Sequence, residues 1–328
     1  MTDDARWLGA ALALAERGIG RTGPNPSVGC VVVHDGRVAG RGWTQPGGRP
    51  HAEMVALDEA GDRARGAVAY VTLEPCAHAS ARGPACADRL IAAGVARVVA
   101  CGPDPDPRTA GQGFARLRAA GIAVVADSRR VEAERVNAGF FTRQRTGRPH
   151  VTLKLAMSLD GCIALADGTS RWITGERARA HAHLERARCD VIVIGAGTLV
   201  ADDPALDVRL EGLADCAPRR AVLSRSLVAI PPTARIGAAT LLRGLHDLDA
   251  DPSVLTVLVE GGAGIATALL AGDRVDRLLV YRTPVVLGGR RAVGDLGLHD
   301  LAAAHGRWRR TATLDLGPDR VEEYDRFR

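Results

Sequence analysis

The residues of this chain best suited to chemistry are His51-Ala52-Glu53, Glu74-Pro75-Cys76 and, nine intervening residues further on, Cys86. Zinc takes tetrahedral nitrogen and sulfur ligands, and a catalytic zinc keeps three protein ligands so that water can hold the fourth position. His51, Cys76 and Cys86 would supply the three. Glu53, two residues from the histidine, would be free to carry a proton from that water to a leaving amine. The competing reading is a purely structural zinc, which needs a fourth protein ligand, and His78 is the candidate for it.

The elements around these residues are arranged to present them. An apolar run Val28 to Val33 and a strand around Val38 are joined by the Asp35-Gly36 turn, and the loop Gly23-Pro24-Asn25-Pro26-Ser27 precedes them as a rigid platform for Asn25. Ala52 to Ala60 reads as a helix, which puts His51 and Glu53 at its first turn. Val68 to Leu73 reads as a buried strand ended by Glu74-Pro75, and a second helix is expected from about Cys86 to Ala93. Ligands at helix N-termini gain from the positive end of the dipole, which favours thiolate. A strand at Arg97 to Cys101, a helix at Phe114 to Ala119, a strand at Ile122 to Val125 and one helix from Val131 to Arg145 complete an alternating α/β pattern.

At 328 residues the chain has room for two domains, expected at 1–147 and 148–328, with Thr146-Gly147-Arg148-Pro149 as the linker. The net charge of +5 is spread along the chain, and aromatics make up only 3%, so nucleic acid is not expected as a partner. No apolar run approaches the ~20 residues of a membrane span, and seven cysteines without a secretory signal argue against a disulfide framework. A cytoplasmic protein is expected. In the second half, strands at Val151 to Met157, Val191 to Ile194 and Thr256 to Glu260 alternate with helices at Glu176 to Arg188, capped by Thr174, and at Ile265 to Ala271. Gly195-Ala196-Gly197-Thr198 reads as a glycine turn without the full dinucleotide fingerprint. Gly261-Gly262-Ala263-Gly264 opens a helix and could present free N–H groups to phosphate.

The first set of residues matches the ligand and acid–base pattern of zinc nucleobase deaminases. Taken with Gly23-Pro24-Asn25-Pro26, Thr72-Leu73-Glu74-Pro75-Cys76-Ala77-His78, Asp104-Pro105, Lys154-Leu155-Ala156-Met157-Ser158-Leu159-Asp160-Gly161, Trp172-Ile173-Thr174, Ala201-Asp202-Asp203-Pro204-Ala205-Leu206 and Val259-Glu260-Gly261-Gly262, the chain resembles the bifunctional deaminase/reductases of riboflavin biosynthesis over nearly its whole length. The resemblance implies a cytidine-deaminase-like three-layer domain followed by a dihydrofolate-reductase-like domain. It implies hydrolytic deamination of a phosphorylated diaminopyrimidinone with Zn2+, then NADPH-dependent reduction of its ribosyl group to ribityl. It further implies that Asn25 and His78 hold the pyrimidine, which argues against His78 as a zinc ligand. Ser170, Arg186, Leu206, Arg209 and Glu260 would meet the substrate of the second reaction, the arginines suiting its phosphate. Ala156, Trp172, Thr198, Asp202 and Gly262, Ala263, Gly264, Ile265, Ala266, Thr267 and Ala268 would meet the cofactor.

Three departures from the family pattern stand out. The loop from His78 to Cys86 is one residue longer than the family's, so the family's basic and hydroxyl contacts to substrate are expected either to move onto Arg82 and Ser80 or to be lost. Cys162 and Leu223-Ser224-Arg225 replace a usual basic residue and a usual Asp-Ser. A homo-oligomer, dimeric through the second half, is the expected assembly, with a small molecule as the only other partner. Two rival readings remain: a zinc deaminase of another pyrimidine whose second half only dimerises, and a zinc-stabilised ligand sensor.

Overall fold

The computed structural model describes residues 3–78, 83–126 and 128–328. The chain divides into two compact units, Met1–Gly147 and Arg148–Arg328. In the first, helix α1 (Asp3–Ala15) leads to strands β1 (Gly29–His34) and β2 (Arg37–Trp43), helix α2 (Ala52–Ala60) and β3 (Val68–Val71). Helix α3 (Cys86–Ala93), β4 (Arg97–Ala100), α4 (Gln112–Ala119), β5 (Ala123–Val125), α5 (Arg130–Val136) and α6 (Ala138–Thr146) follow. The sheet order is β2-β1-β3-β4-β5, antiparallel on the first two pairings and parallel on the last two. Its central strands are buried apolar runs, as strands covered on both faces require.

Two glycines set how closely α2 can lie on this sheet. A Cβ on Gly40 would fall 2.1 Å from the Ala56 carbonyl oxygen, and one on Gly42 would fall 2.5 Å from that of Ala52. Facing them are Ala52, Ala56 and Ala60, all buried. With small residues on both surfaces the helix backbone rests almost on the strand backbone, and the first turn of α2 is fixed where His51 and Glu53 are needed.

The second unit contains β6 (His150–Met157), β7 (Cys162–Ala164), α7 (Glu176–Ala187), β8 (Val191–Gly195), α8 (Ala196–Asp202), β9 (Arg219–Leu223) and β10 (Ala239–Leu242). Then come β11 (Thr256–Glu260), α9 (Ala263–Ala271), β12 (Arg277–Arg282), β13 (Arg290–Arg291), β14 (Trp308–Leu316) and β15 (Asp319–Arg326). Eight strands form one sheet in the order β10-β9-β8-β11-β6-β12-β15-β14. The pairings from β10 to β12 are parallel, and those of β15 are antiparallel. Its core is the aliphatic set around Val151, Leu153, Val193, Val257 and Val259.

Several local expectations are corrected. The helix expected from Val131 to Arg145 is two helices, broken at Asn137, whose amide is spent on Ser27: Oδ1 accepts from Ser27 N at 2.7 Å and Nδ2 donates to Ser27 O at 3.0 Å. The Gly195 to Thr198 turn is the start of helix α8. Helix α7 is preceded by Gly175, without a side-chain cap, so Thr174 does not serve as one; its carbonyl instead accepts from Arg179 Nη1 at 2.6 Å. Among the described residues, no helix is long and apolar enough to cross a membrane.

Candidate active sites

In the first unit His51 is the residue preceding α2, Glu53 lies in the helix's first turn and Cys86 is the first residue of α3. Cys76 follows the buried end of β3. These elements bring His51 Nδ1 to 3.3 Å from Cys86 Sγ and 3.7 Å from Cys76 Sγ, and all three ligand atoms lie within 4.8 Å of one another. A tetrahedral zinc with bonds of about 2.0 Å to nitrogen and 2.3 Å to sulfur has nitrogen–sulfur edges of about 3.5 Å, so the donor set and its spacing fit that ion. His78 is not part of this cluster. Its Nδ1 lies 3.3 Å from the buried Thr109 hydroxyl instead.

The electrostatics also describe a cation site. The hydrogen bond from Cys86, opposed by burial and aided by His51, lowers the Cys76 thiol well below the usual thiol range. Cys86 is pushed up by that same shared proton and by burial. The backbone N–H of Cys86 also donates to Cys76 Sγ at 3.3 Å, so the start of α3 stabilises a thiolate there. Burial raises the Glu53 carboxyl against the pull of His51, with the Cys76 charge adding to the rise. A buried acid whose carboxyl is raised beside a candidate metal ligand suits a group that must both take and give a proton.

Asn25 Nδ2 donates to the Gly48 carbonyl at 2.7 Å and lies 3.3 Å from His51 Nε2, so this loop asparagine borders the ligand ring. Glu74, read from sequence only as a strand end, is fully engaged. It accepts from the backbone N–H of Asp104 (3.1 Å), Gly111 (2.9 Å) and Phe114 (3.0 Å), which pins the segment bearing Thr109. Nothing in the spacing announces those partners, because they lie 30 to 40 residues away. Arg82 and Ser80 fall outside the described residues.

In the second unit the carboxyl ends of parallel strands gather the other candidates, where open α/β sheets bind ligands. Strands β8 and β11 are neighbours and run into helices α8 and α9. A Cβ on Gly262 would lie 3.9 Å from the Thr198 hydroxyl, so the two helix starts adjoin. Gly261 is needed for close approach, because a Cβ there would sit 2.2 Å from Ile265 Cγ2. Of the glycine-rich segment, Gly262, Ala263, Gly264 and Ile265 form the opening turn. Ala266 is buried in the core, the Thr267 hydroxyl donates to Ala263 O at 2.6 Å, and Ala268 is exposed on the following turn. Ala156 lies near the end of β6. Asp202 ends α8, with its carboxylate 3.5 Å from Arg171. Trp172, 65% exposed, lies beneath the Arg179 guanidinium, 5.0 Å from its ring centroid. Ser170 is half-buried in the same loop.

Glu260 anchors the substrate-side candidates. Burial would raise its carboxyl, but Arg186 and Lys154 outweigh that and hold it down to about 2. Arg186 donates to both carboxylate oxygens, Nε at 2.6 Å and Nη2 at 3.0 Å, and gives Nη1 to Asp207 O at 3.0 Å. Its guanidinium is therefore committed to Glu260 and to the 206–209 segment. In that segment Leu206 has a φ of +52°, rare for a leucine, with its side chain buried, so what it offers a ligand is backbone. Arg209 is half-exposed, with Nη2 3.2 Å from His183 Nε2, and is the freer of the two arginines for a phosphate. Register sets Lys154 opposite Glu260 across β6 and β11. Sequence reasoning gave Lys154 no role. The signal that could have found it is compositional: it is the only lysine in a chain with 43 basic residues.

Fold and sites together define a zinc-dependent deaminase joined in one chain to a reductase of the NADPH-dependent kind. Residues 1–102 match the cytidine and deoxycytidylate deaminase zinc-binding region, and residues 149–321 match the RibD C-terminal domain. The chain is 41% identical to riboflavin biosynthesis protein RibD of Escherichia coli, over 96% of this chain and 97% of that protein, and 42% identical to RibD of Mycobacterium tuberculosis, over 95% and 94%. Among solved structures, Acinetobacter baumannii RibD superposes with a TM-score of 0.88 at 35% identity, covering 99% of both chains. A diaminohydroxyphosphoribosylaminopyrimidine deaminase/5-amino-6-(5-phosphoribosylamino)uracil reductase of Thermotoga maritima does so with 0.89 at 30% identity and the same coverage. The chain belongs to the RibD family, the bifunctional deaminase/reductases of riboflavin biosynthesis.

Proposed function

We propose that the first unit deaminates a diaminopyrimidinone carrying a phosphoribosylamino group, and that the second then reduces its ribosyl group to ribityl. The observation that carries this reading is the coexistence in one chain of the His51, Cys76 and Cys86 trio beside buried Glu53 and of the Arg186 and Lys154 cluster around Glu260, the last residue of β11. His51, Cys76 and Cys86 would hold a zinc ion, which when bound would lower the pKa of a water molecule. Glu53 would take a proton from the attacking water and hand it to the departing amino group, so that overall water and the ring amine become a ring carbonyl and ammonia. Asn25 and His78 orient the ring, with Thr109 fixing the His78 imidazole.

In the second unit NADPH, when bound, would supply a hydride to the sugar carbon C1′. The opening turn of α9, with Ala156, Thr198, Asp202 and Trp172, would line its site, while Glu260, Leu206, Ser170 and Arg209 face the pyrimidine and its phosphate. Arg186 is assigned chiefly to holding Glu260 ionised. A homodimer through this unit is part of the proposal, supported by exposed Leu159, Val286 and Leu301. Mass spectrometry of the products tests the scheme. Without NADPH the purified chain should accumulate the deaminated ribosyl compound, and with it the ribityl compound. Ribityl product that still carries both ring amino groups would overturn the order.

A further inference from the structure

Of the 43 basic residues, all but Lys154 are arginine. Arginine is a rigid planar fork, whereas lysine carries a compact ammonium on a flexible stem. A chain that uses arginine everywhere else keeps the flexible group at this one strand position, and a flexible group needs something to hold it. On one side stands Glu260, but Arg186 already occupies both of its oxygens, and Lys154 Nζ is left at 3.8 Å, beyond hydrogen-bond range. On another side stands the ring of Tyr281, its centroid 5.7 Å from Nζ.

Tyr281 is itself held firmly. It is 1% exposed on β12, where register sets it opposite Ala156 of β6, and its hydroxyl lies 2.8 Å from His181 Nδ1 on α7. Helix α7 also carries Arg186. One buried side chain thus faces the ammonium with its ring and ties down the Arg186 helix with its hydroxyl. The face of an aromatic ring attracts a cation within about 6 Å of its centroid.

We propose that Tyr281 is a positioning residue whose ring face holds the Lys154 ammonium beside Glu260, ready for the deaminated pyrimidine. The inference rests on the reading of Glu260 as the substrate side of the reductase unit. Because the chain has a single lysine, isotopically labelled lysine gives one side-chain signal from the full-length protein. In the wild type and in Tyr281→Phe that signal should show the ring-current shift of a methylene held over an aromatic face, and in Tyr281→Leu it should return to the position of free lysine. Tyr281→Phe should keep the wild-type KM for the deaminated pyrimidine. Tyr281→Leu should raise it about tenfold, the size of a partly desolvated cation–π contact, with the KM for NADPH unchanged.

A wild-type signal at the free-lysine position overturns the proposal, and this measurement stands even if Tyr281→Leu fails to fold. Tyr281→Phe as damaging as Tyr281→Leu overturns it in favour of the hydroxyl tether. A rise in both KM values together overturns it in favour of general loosening. Glu260→Gln, assayed alongside, separates the two levels. Wild-type reduction by Glu260→Gln defeats the substrate-side reading, whereas a crippled Glu260→Gln beside an unaffected Tyr281→Leu defeats only the role of Tyr281.

Discussion

Two thiols, an imidazole and a carboxylate crowd together where α2 and α3 begin, and the crowding makes sense only around a cation. Without one, Cys76 and Cys86 share a proton and Glu53 is pushed towards its neutral form. Removing one thiol leaves an incomplete ligand set, so Cys86→Ser should lose bound zinc, read by elemental analysis, and ammonia release should fall at least ~100-fold. Reduction of the deaminated pyrimidine by the same variant should continue at the wild-type rate. His150 gives a second test at this scale. It is buried, and burial lowers its imidazole from 6.5 to about 4. It stays neutral in the fold while the unfolded chain takes up a proton below pH 6.5. Its contribution is therefore complete above that pH and is lost as pH falls towards 4, in all about 3 kcal/mol. Denaturant titrations at pH 7 and at pH 4 should show His150→Gln losing less stability between them than the wild type. An equal loss would remove His150 as a source.

At the scale of elements, the clustered candidate ligands His51, Cys76 and Cys86 could be read from sequence because each sits next to its own signal: a histidine before a helix, a cysteine after a strand-ending proline, a cysteine at a helix start. The alternating strands and helices around them were legible for the same reason, since apolar runs and turn residues are local. What was not legible depends on distant partners. The break at Asn137 follows from two hydrogen bonds to Ser27, and the three N–H groups gathered by Glu74 come from a segment beyond β4. The seating of α2 was likewise hidden, because Gly40 and Gly42 look like weak points of a strand until Ala52 and Ala56 are found against them. That contact yields a prediction for the element as a whole. Gly42→Val would drive a side chain into the Ala52 carbonyl and shift α2, which should cost about 1–3 kcal/mol of stability and weaken zinc binding. Thermal melts and zinc titration of the purified variant measure both. Unchanged zinc affinity would mean that the helix is positioned some other way.

For the whole molecule, the two units bring together chemistries that neither motif specifies alone. The His51, Cys76 and Cys86 trio suits a reaction type, hydrolytic loss of an amine, without naming its substrate, and it is the match of residues 149–321 to the RibD C-terminal domain that makes the second unit a reductase. Their fusion, with full-length likeness to RibD proteins, joins the two into consecutive steps. The order of those steps is the central claim, and one coupled assay tests it, following ammonia and NADPH in the same tube with the undeaminated phosphoribosylamino-pyrimidinone. Wild type should release one ammonia for each NADPH oxidised. Glu53→Gln should do neither with this substrate, yet oxidise NADPH normally when given the deaminated compound. NADPH consumption at the full rate by Glu53→Gln with the undeaminated substrate would contradict it.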